Sequence, residues 1–289
     1  MLKISDLGLS DRLSLFRRPN GLVTAMLAGL AAMAPATALA GPAQGRKAVL
    51  ERRLAGPDGA IMVIAHRACW IGTSENSVAA IEACIAAGID MVELDVRSTR
   101  DGVLVLMHDA TVDRMTDGTG QIADLTWAQL RELRLRADRG NGTPLTANRI
   151  PTFEEALQVA KDRILINIDA KTPLTDKVLA AVEIAGSREQ VLFKAEASVD
   201  AVRDEAPWVD AVRFQPILRE PDIRREPEEA ISSYDGVAPV SYEIDIKNQG
   251  FTAILAPLIR ERCARYWVNS LAGRAYDDVV AVRDPDRVW

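Results

Sequence analysis

Short apolar runs alternate with amphipathic helical segments along most of this chain. The runs predicted as strands are 61–65, 91–96, 164–169, 191–194, 210–214, 236–240, 266–269 and 279–282. The segments between most of them have helical spacing, as in 77–88, where Val78, Ile81 and Ile85 share a face and Gly88 ends the helix. Eight strands in alternation with helices predict a (β/α)8 TIM barrel as a single domain over 59–289. An open doubly wound sheet is the alternative.

The amino-terminal residues do not continue this pattern. A basic segment precedes an uncharged, alanine-rich stretch, 21–40, which ends in Ala38-Leu39-Ala40. This order is typical of a secretory signal peptide, here predicted over 1–40 with cleavage after Ala40 and a polar linker at 41–58. We therefore expect a periplasmic or secreted protein with no stable membrane span after cleavage. An uncleaved anchor is the alternative, although Pro35 and the alanines make a weak span.

Composition narrows the partners and the redox chemistry. The net charge is −6 and the pI about 5.2, which excludes an overall basic surface for nucleic acid or an anionic membrane. An anionic small molecule would therefore need a local cation, and no partner protein is identifiable. The three cysteines, Cys69, Cys84 and Cys263, form no Cys-x-x-Cys motif. They allow at most one disulfide, whose pairing the sequence leaves open.

Carboxylates share one face on two of the predicted strands. Glu93 and Asp95 are two residues apart in 91–96, so they point to the side opposite the apolar residues between them. Asp169 likewise stands opposite the isoleucines of 164–169. Adjacent carboxylates repel unless a cation neutralises them, and oxygen ligands suit Mg²⁺ or Ca²⁺ rather than zinc. The sequence thus predicts one divalent cation on these three acids; a half-exposed edge strand is the alternative.

Both histidines of the chain follow apolar runs, on either side of the acid pair. His66 comes directly after the run 61–65, and His108 comes directly after the run 102–107. Two imidazoles beside carboxylates can serve as general acid and general base at neutral pH. Arg67 suits a forked contact with phosphate. Lys171 is two residues after Asp169 and either reaches an anionic substrate or is a solvated lysine at a helix start.

These residues resemble the motifs of the glycerophosphodiester phosphodiesterase family, whose metal-dependent TIM-barrel fold is shared with phosphatidylinositol-specific phospholipases. The family has His-Arg-Gly, Pro-Glu-Asn-Thr, Glu-x-Asp-Val, Thr-x-Asp-Gly, His-Asp and Arg-x-Thr-x-Gly-x-Gly. The corresponding segments here are His66-Arg67-Ala68, Ser74-Glu75-Asn76-Ser77, Glu93-Leu94-Asp95-Val96, Thr99-Arg100-Asp101-Gly102, His108-Asp109 and Arg114-Met115-Thr116-Asp117-Gly118-Thr119-Gly120. The dense match covers 61–133.

The resemblance implies a role for each candidate. Glu93, Asp95 and Asp169 would hold the cation, and His66 and His108 would form the acid/base pair. Arg67 and Lys171 would bind the phosphate. The resemblance alone adds Glu75 and Asn269 as substrate-binding residues. The implied activity is hydrolysis of glycerophosphodiesters to glycerol 3-phosphate and an alcohol.

Four positions depart from the family pattern. Ala68 replaces Gly, Ser74 replaces Pro, Ser77 replaces Thr, and Asp169 is one methylene shorter than Glu. Ser77 remains a good helix N-cap, whereas Asp169 shortens the reach to a cation. Two other functions therefore stay open. One is a phospholipase-D-like or cyclising phosphodiesterase on lipids, and the other is a non-catalytic phosphodiester-binding protein on the same fold.

Overall fold

The computed structural model describes residues 42–56, 61–171, 176–245 and 251–268. Its strands are β1 (Ile64–His66), β2 (Met91–Ser98), β3 (Leu104–Leu106), β4 (Arg134–Arg136), β5 (Leu145–Arg149), β6 (Leu165–Ala170), β7 (Val191–Ala195), β8 (Arg213–Arg219), β9 (Ser241–Asp245) and β10 (Arg265–Val268). Its helices are α1 (Pro42–Leu54), α2 (Val78–Ala86), α3 (Trp127–Leu130), α4 (Phe153–Ala160), α5 (Asp176–Ile184), α6 (Val199–Glu205), α7 (Glu220–Ile223), α8 (Pro227–Ser232) and α9 (Thr252–Glu261).

Seven parallel strands follow one another in the order β1-β2-β6-β7-β8-β9-β10. Parallel neighbours in chain order with helices between them are the arrangement of the predicted barrel. β3 folds back antiparallel on β2, and β4 pairs with β5 in a separate ribbon. The predicted strand 279–282 lies outside the described residues.

Two of the predicted strands are displaced along the chain. The run 210–214 begins in a 3-10 turn, and the strand β8 starts only at Arg213. The prediction at 236–240 is wrong, because Ala238 has a left-handed backbone (φ 45°) and Pro239 follows it. A left-handed residue and a proline both interrupt extended pairing, so β9 starts at Ser241.

The outward face of the sheet forms the main core. Val92, Leu94 and Val96 on β2 are fully buried and pack in one cluster with side chains of α2 and α4, including Ile81 and Phe153. Burial of each such side chain contributes about 1.5–3 kcal/mol. The alternation on β2 therefore directs Glu93 and Asp95 into the barrel interior, as predicted.

Helix α1 packs against the barrel at the end where the parallel strands begin. It lies within the range predicted as a linker, and its Leu50 and Leu54 are buried. They pack against Met91, Leu165 and Leu192, which stand at the starts of β2, β6 and β7. The linker prediction therefore fails for 42–54, since two leucines one helical turn apart suffice to dock this mostly polar helix.

The helix after the first loop begins at the cap expected from the sequence. Ser77 precedes α2 with an extended backbone, and its hydroxyl accepts a hydrogen bond from the Ala80 amide at 3.1 Å. This confirms that Ser can replace the family's Thr as a cap. Among the described helices, none combines the length and the hydrophobicity needed to cross a bilayer.

A disulfide joins the loop after β1 to this helix. Cys69 pairs with Cys84 on α2, while Cys263 is exposed and has a free thiol. The loop needs such an anchor because Arg67 and Ala68 both have left-handed backbones, with φ of 58° and 62°. Non-glycine residues pay about 1–2 kcal/mol each for this conformation, so the surrounding structure must impose it.

We expect removal of the Cys69–Cys84 bridge to lower the stability of the protein. The bridge spans 15 residues, and a loop of that length corresponds to about 3 kcal/mol of the free energy of unfolding. Denaturant titration of the Cys69→Ser/Cys84→Ser variant measures this loss. Cys263→Ser is the matched control and should unfold at the wild-type midpoint. Equal midpoints for the double variant and the control would contradict a structural role for the bridge.

Candidate active site

The three predicted carboxylates meet at the carboxyl ends of β2 and β6. Asp95 and Asp169 are paired across the two strands, and Glu93 lies one step below them beside His66 of β1. Each of the three acids offers a carboxylate oxygen that lies within 4.8 Å of those of the other two. Glu93 and Asp95 are buried, and Asp169 is partly buried. The predicted convergence is therefore present.

Two lysines neutralise this cluster. Lys171 Nζ lies 2.8 Å from Asp169 Oδ2 and 3.3 Å from Asp95 Oδ1. Lys194 Nζ, on β7, lies 3.3 Å from Glu93 Oε1 and 3.4 Å from Asp169 Oδ2. Lys171 thus contacts the carboxylates directly, which neither of its two predicted roles includes. Lys194 was not predicted at all, although a lysine that ends the apolar run 191–194 was a visible signal.

The cluster has the chemistry of a site for a hard divalent cation. All three candidate ligands are carboxylates, which Mg²⁺ and Ca²⁺ prefer. Asp95 Oδ1 is buried and, among the described residues, accepts no hydrogen bond, since the approach of Lys171 lacks hydrogen-bond geometry. Burial raises the pKa of Glu93 to about 7, with Lys194 opposing and the other acids reinforcing the shift. A cation would reverse this shift by favouring the ionised carboxylate.

His66 lies at the edge of the cluster as a neutral imidazole. Its Nε2 is 4.0 Å from Glu93 Oε2, and its side chain is 37% exposed. Partial burial, reinforced by the nearby charges of Arg67, Lys194 and Arg139, lowers its pKa to about 3. His66 is therefore unprotonated at neutral pH and has a nitrogen lone pair available.

His108 is held by a chain of polar contacts just after β3. Its Nδ1 lies 2.7 Å from Asp109 Oδ1, and its carbonyl accepts a hydrogen bond from Arg97 Nε at 3.0 Å. Arg114 Nε donates to Asp109 Oδ2 at 2.6 Å. These hydrogen bonds, Arg114's first among them, outweigh burial and lower the pKa of Asp109 to about 2. The Asp109 carboxylate thus stays ionised and orients the imidazole.

Glu75 binds arginines in this structure. It is 1% exposed, and its carboxylate accepts from Arg67 Nη1 at 3.1 Å and from Arg114 Nη2 at 2.5 Å. Arg139 Nε lies 3.7 Å away. Glu75 therefore positions the arginines of the site, and its contact with substrate stays a prediction.

Arg67 is enclosed by acids. Its amide donates to Glu93 Oε2 at 3.0 Å, and its Nε lies 3.7 Å from Asp95 Oδ2. Within the described part of the chain, this buried Nε has no hydrogen-bond partner. Arg67 thus lines the carboxylate cluster. Its Nε donates no hydrogen bond to any described residue there, and the Oδ1 of the neighbouring Asp95 accepts none from them.

Asn76 is a site residue that the sequence reasoning missed. Its Nδ2 donates to Asp95 Oδ2 at 2.7 Å, and its Oδ1 accepts from the Asp95 amide at 3.1 Å. Asn76 adopts a left-handed backbone (φ 54°), which asparagine tolerates better than most residues. The signal was its place in the Ser-Glu-Asn-Ser motif.

Asn269, predicted from the late strand, lies outside the described residues.

Trp70 lies in the first loop under a guanidinium. The Arg139 guanidinium stands 5.6 Å above the centre of the Trp70 ring, a cation–π geometry. The Asp138 amide and carbonyl bond to Thr73 and Glu75, so the loop before β5 is fastened to the first loop. Trp70 therefore carries the Arg139 guanidinium on its ring face, in the loop that also holds Arg67.

Comparison with known proteins finds similarity to the same family. Residues 66–206 match the model of the glycerophosphoryl diester phosphodiesterase family. Glycerophosphodiester phosphodiesterase 1 of Mus musculus is 41% identical over 116 residues, which cover 40% of this chain and 35% of the mouse protein. A glycerophosphodiester phosphodiesterase of Caldanaerobacter subterraneus is 34% identical over 139 residues, 46% of this chain and 56% of that protein. The matches thus span about a third to about half of these relatives.

Solved structures confirm the fold. A glycerophosphoryl diester phosphodiesterase from Parabacteroides distasonis aligns with a TM-score of 0.60 at 23% identity, covering 76% of this chain and 75% of that chain. A glycerophosphodiester phosphodiesterase from Thermotoga maritima aligns with a TM-score of 0.56 at 22% identity, covering 72% and 85%. The predicted (β/α)8 barrel is therefore the fold of this chain.

We expect Glu75→Gln to destabilise the protein because it leaves buried arginine charge without its carboxylate. Breaking a buried ion pair from one side costs about 3–5 kcal/mol. Glu82→Gln is the matched control on α2: its carboxylate pairs with Arg163 near the surface, where a pair contributes less than about 1 kcal/mol. Denaturant titration compares the two. A smaller loss for Glu75→Gln than for Glu82→Gln would contradict the anchoring role.

Proposed function

This chain belongs to the glycerophosphoryl diester phosphodiesterase family, and from this premise we propose that it hydrolyses glycerophosphodiesters with a bound divalent cation. The products would be glycerol 3-phosphate and an alcohol. The observation that carries the proposal is the convergence of Glu93, Asp95 and Asp169 beside His66 at the strand ends. This is the end of a TIM barrel at which active sites are built.

Glu93, Asp95 and Asp169 are the proposed ligands of the cation, which we take to be Mg²⁺ or Ca²⁺. When bound, a divalent cation supplies Lewis-acid stabilisation of charge on phosphate oxygens. Asn76 holds Asp95 in place through its paired hydrogen bonds. Asp169 stands level with Asp95 across β2 and β6, and its carboxylate reaches the other two despite its shorter side chain.

We assign the general base to His66 and the general acid to His108. An unprotonated imidazole can accept the proton of the attacking water or hydroxyl, and His66 has its pKa held low by burial and by neighbouring cations. The contact of His108 Nδ1 with the Asp109 carboxylate fixes the orientation of the second imidazole. His108 would deliver a proton to the departing alkoxide as His66 takes one from the nucleophile, so the two proton transfers balance.

Arg67 and Lys171 are the proposed contacts of the phosphate. In this structure both side chains pair with carboxylates of the cluster, and the buried Nε of Arg67 donates no hydrogen bond within the described residues. Lys171 would be free to turn towards an anionic ligand if a divalent cation held by those carboxylates neutralised the same charge. Lys171 is 25% exposed and has room for that movement.

We expect chelation and loss of either histidine to lower turnover strongly. The mature protein is assayed on glycerophosphocholine and glycerophosphoethanolamine, with and without EDTA, and glycerol 3-phosphate is quantified. His66→Ala and His108→Ala should each lower kcat by about 10²–10⁴-fold, the usual contribution of a positioned acid or base. Wild-type rates in EDTA and in both variants would exclude the proposed site.

The same assay separates the alternative functions. A cyclic phosphate among the products, or turnover of intact lipid, would favour a cyclising or phospholipase-D-like enzyme. Binding of glycerophosphocholine without turnover in excess Mg²⁺ or Ca²⁺ would favour a non-catalytic binding protein.

We propose that the protein is exported to an oxidising compartment. The leader pattern of 1–40 supports this, and so does the Cys69–Cys84 disulfide, because such bridges persist mainly outside the cytosol. Secretion and metal dependence are consistent with a hydrolase that acts on small phosphodiesters outside the cytoplasm.

We expect the exported protein to begin at Gly41. Full-length protein produced in a bacterium with a periplasm is fractionated, and the intact mass of each fraction is measured. Replacing Ala38 and Ala40 by Gln should block processing, because the peptidase accepts small residues at these positions. An uncleaved mass for the wild-type protein in the periplasmic fraction would support an anchor instead.

A further inference from the structure

A buried ammonium group lies inside the carboxylate cluster. Lys194 is 6% exposed, and its Nζ lies 3.3 Å from Glu93 Oε1, 3.4 Å from Asp169 Oδ2 and 3.5 Å from Glu243 Oε2. Two of these acids are candidate metal ligands, while Glu243 stands on β9 outside the ligand group. The lysine therefore shares its partners with any cation that the site binds.

We propose that Lys194 is a built-in counter-ion that weakens and thereby sets the affinity of the site for divalent cations. The inference rests on the proposed metal site formed by Glu93, Asp95 and Asp169, and on no other part of the proposed function. Glu243 acts against the lysine, since its carboxylate compensates part of the ammonium charge. The pair Lys194–Glu243 is then the element that tunes the metal site.

The need for such a counter-ion follows from burial. Glu93 and Asp95 are almost inaccessible to water, so uncompensated negative charge there would be strongly disfavoured. Lys194 neutralises this charge before any metal binds. A cation that then enters a site already holding an ammonium group is repelled, and the burial of Glu93, Asp95 and Lys194 reduces the screening of that repulsion.

Lys194 cannot withdraw from the cluster as Lys171 can. Lys171 is 25% exposed at the rim, whereas the side chain of Lys194 is 5% exposed. Its backbone is fixed because β7 pairs with β6 on one side and with β8 on the other. These pairings place Lys194 opposite Asp169 of β6 and Gln215 of β8. Metal binding therefore occurs in the presence of the Lys194 charge.

Two substitutions change the pair in opposite directions. Lys194→Met removes the resident positive charge, so the three ligands attract a divalent cation more strongly. Glu243→Gln leaves the lysine uncompensated, so its charge falls more fully on Glu93 and Asp169. Lys177→Met is the matched control because it removes one positive charge from α5, outside the contacts of the cluster.

The experiment is calorimetric titration of the purified mature protein with MgCl₂ and, separately, CaCl₂. We expect Lys194→Met to lower the dissociation constant at least about 10-fold, Glu243→Gln to raise it several-fold, and Lys177→Met to leave it unchanged. Melting temperatures in EDTA give a second readout, in which Lys194→Met should be less stable than the wild type without metal and recover more on adding it.

Equal or weaker metal binding by Lys194→Met would overturn the inference. If that variant does not fold, Glu243→Gln decides: an unchanged dissociation constant would also overturn it. Absence of metal binding in every variant, Lys194→Met included, would contradict both this inference and the metal site. Tight binding that follows the expected order without turnover would leave this inference intact and count against the proposed activity.

Discussion

Repulsion among buried carboxylates is the constraint around which this barrel end is organised. Glu93, Asp95 and Asp169 stand at neighbouring strand ends because the pleat and the register of β2 and β6 leave them no other direction. Their charge must be compensated within a few ångströms. Cationic groups from three separate segments perform this role: Arg67 in the first loop, Lys171 after β6 and Lys194 on β7. The distribution ties distant parts of the chain to one site.

The spacing of apolar and polar residues predicted those features of the fold and the site that depend on residues close together in the sequence. Alternation in 91–96 and 164–169 predicted which side chains face inward, and the parallel pairing then brought Asp95 opposite Asp169. The two histidines were found in the same way, from their places after apolar runs. The Ser77 cap needed only the residues next to it. The fold class followed from the repeated alternation of strands and helices.

What the sequence could not predict depends on contacts between distant segments. Lys194 contacts Glu93 across 101 positions and Glu243 across 49, and no local pattern identifies such partners. The pairing of Cys69 with Cys84 was one of several that three cysteines allow. Helix α1 is not evident from the sequence because its two docking leucines, Leu50 and Leu54, give only a weak periodic signal in a polar segment. The ion pairs of Arg67 with Asp95 and of Glu75 with Arg114 also join segments that are distant in the sequence.

The bridge between the first loop and α2 links the thiol chemistry of the protein to the geometry of its site. Arg67 donates its amide to Glu93 from a left-handed backbone only two residues before Cys69. If the bridge favours this loop conformation, the conformation favours the bridge by the same free energy, because such coupling is reciprocal. Relaxing the left-handed backbone of Arg67 would therefore make the bridge easier to reduce. The state of two cysteines is, in this sense, coupled to the position of one amide beside Glu93.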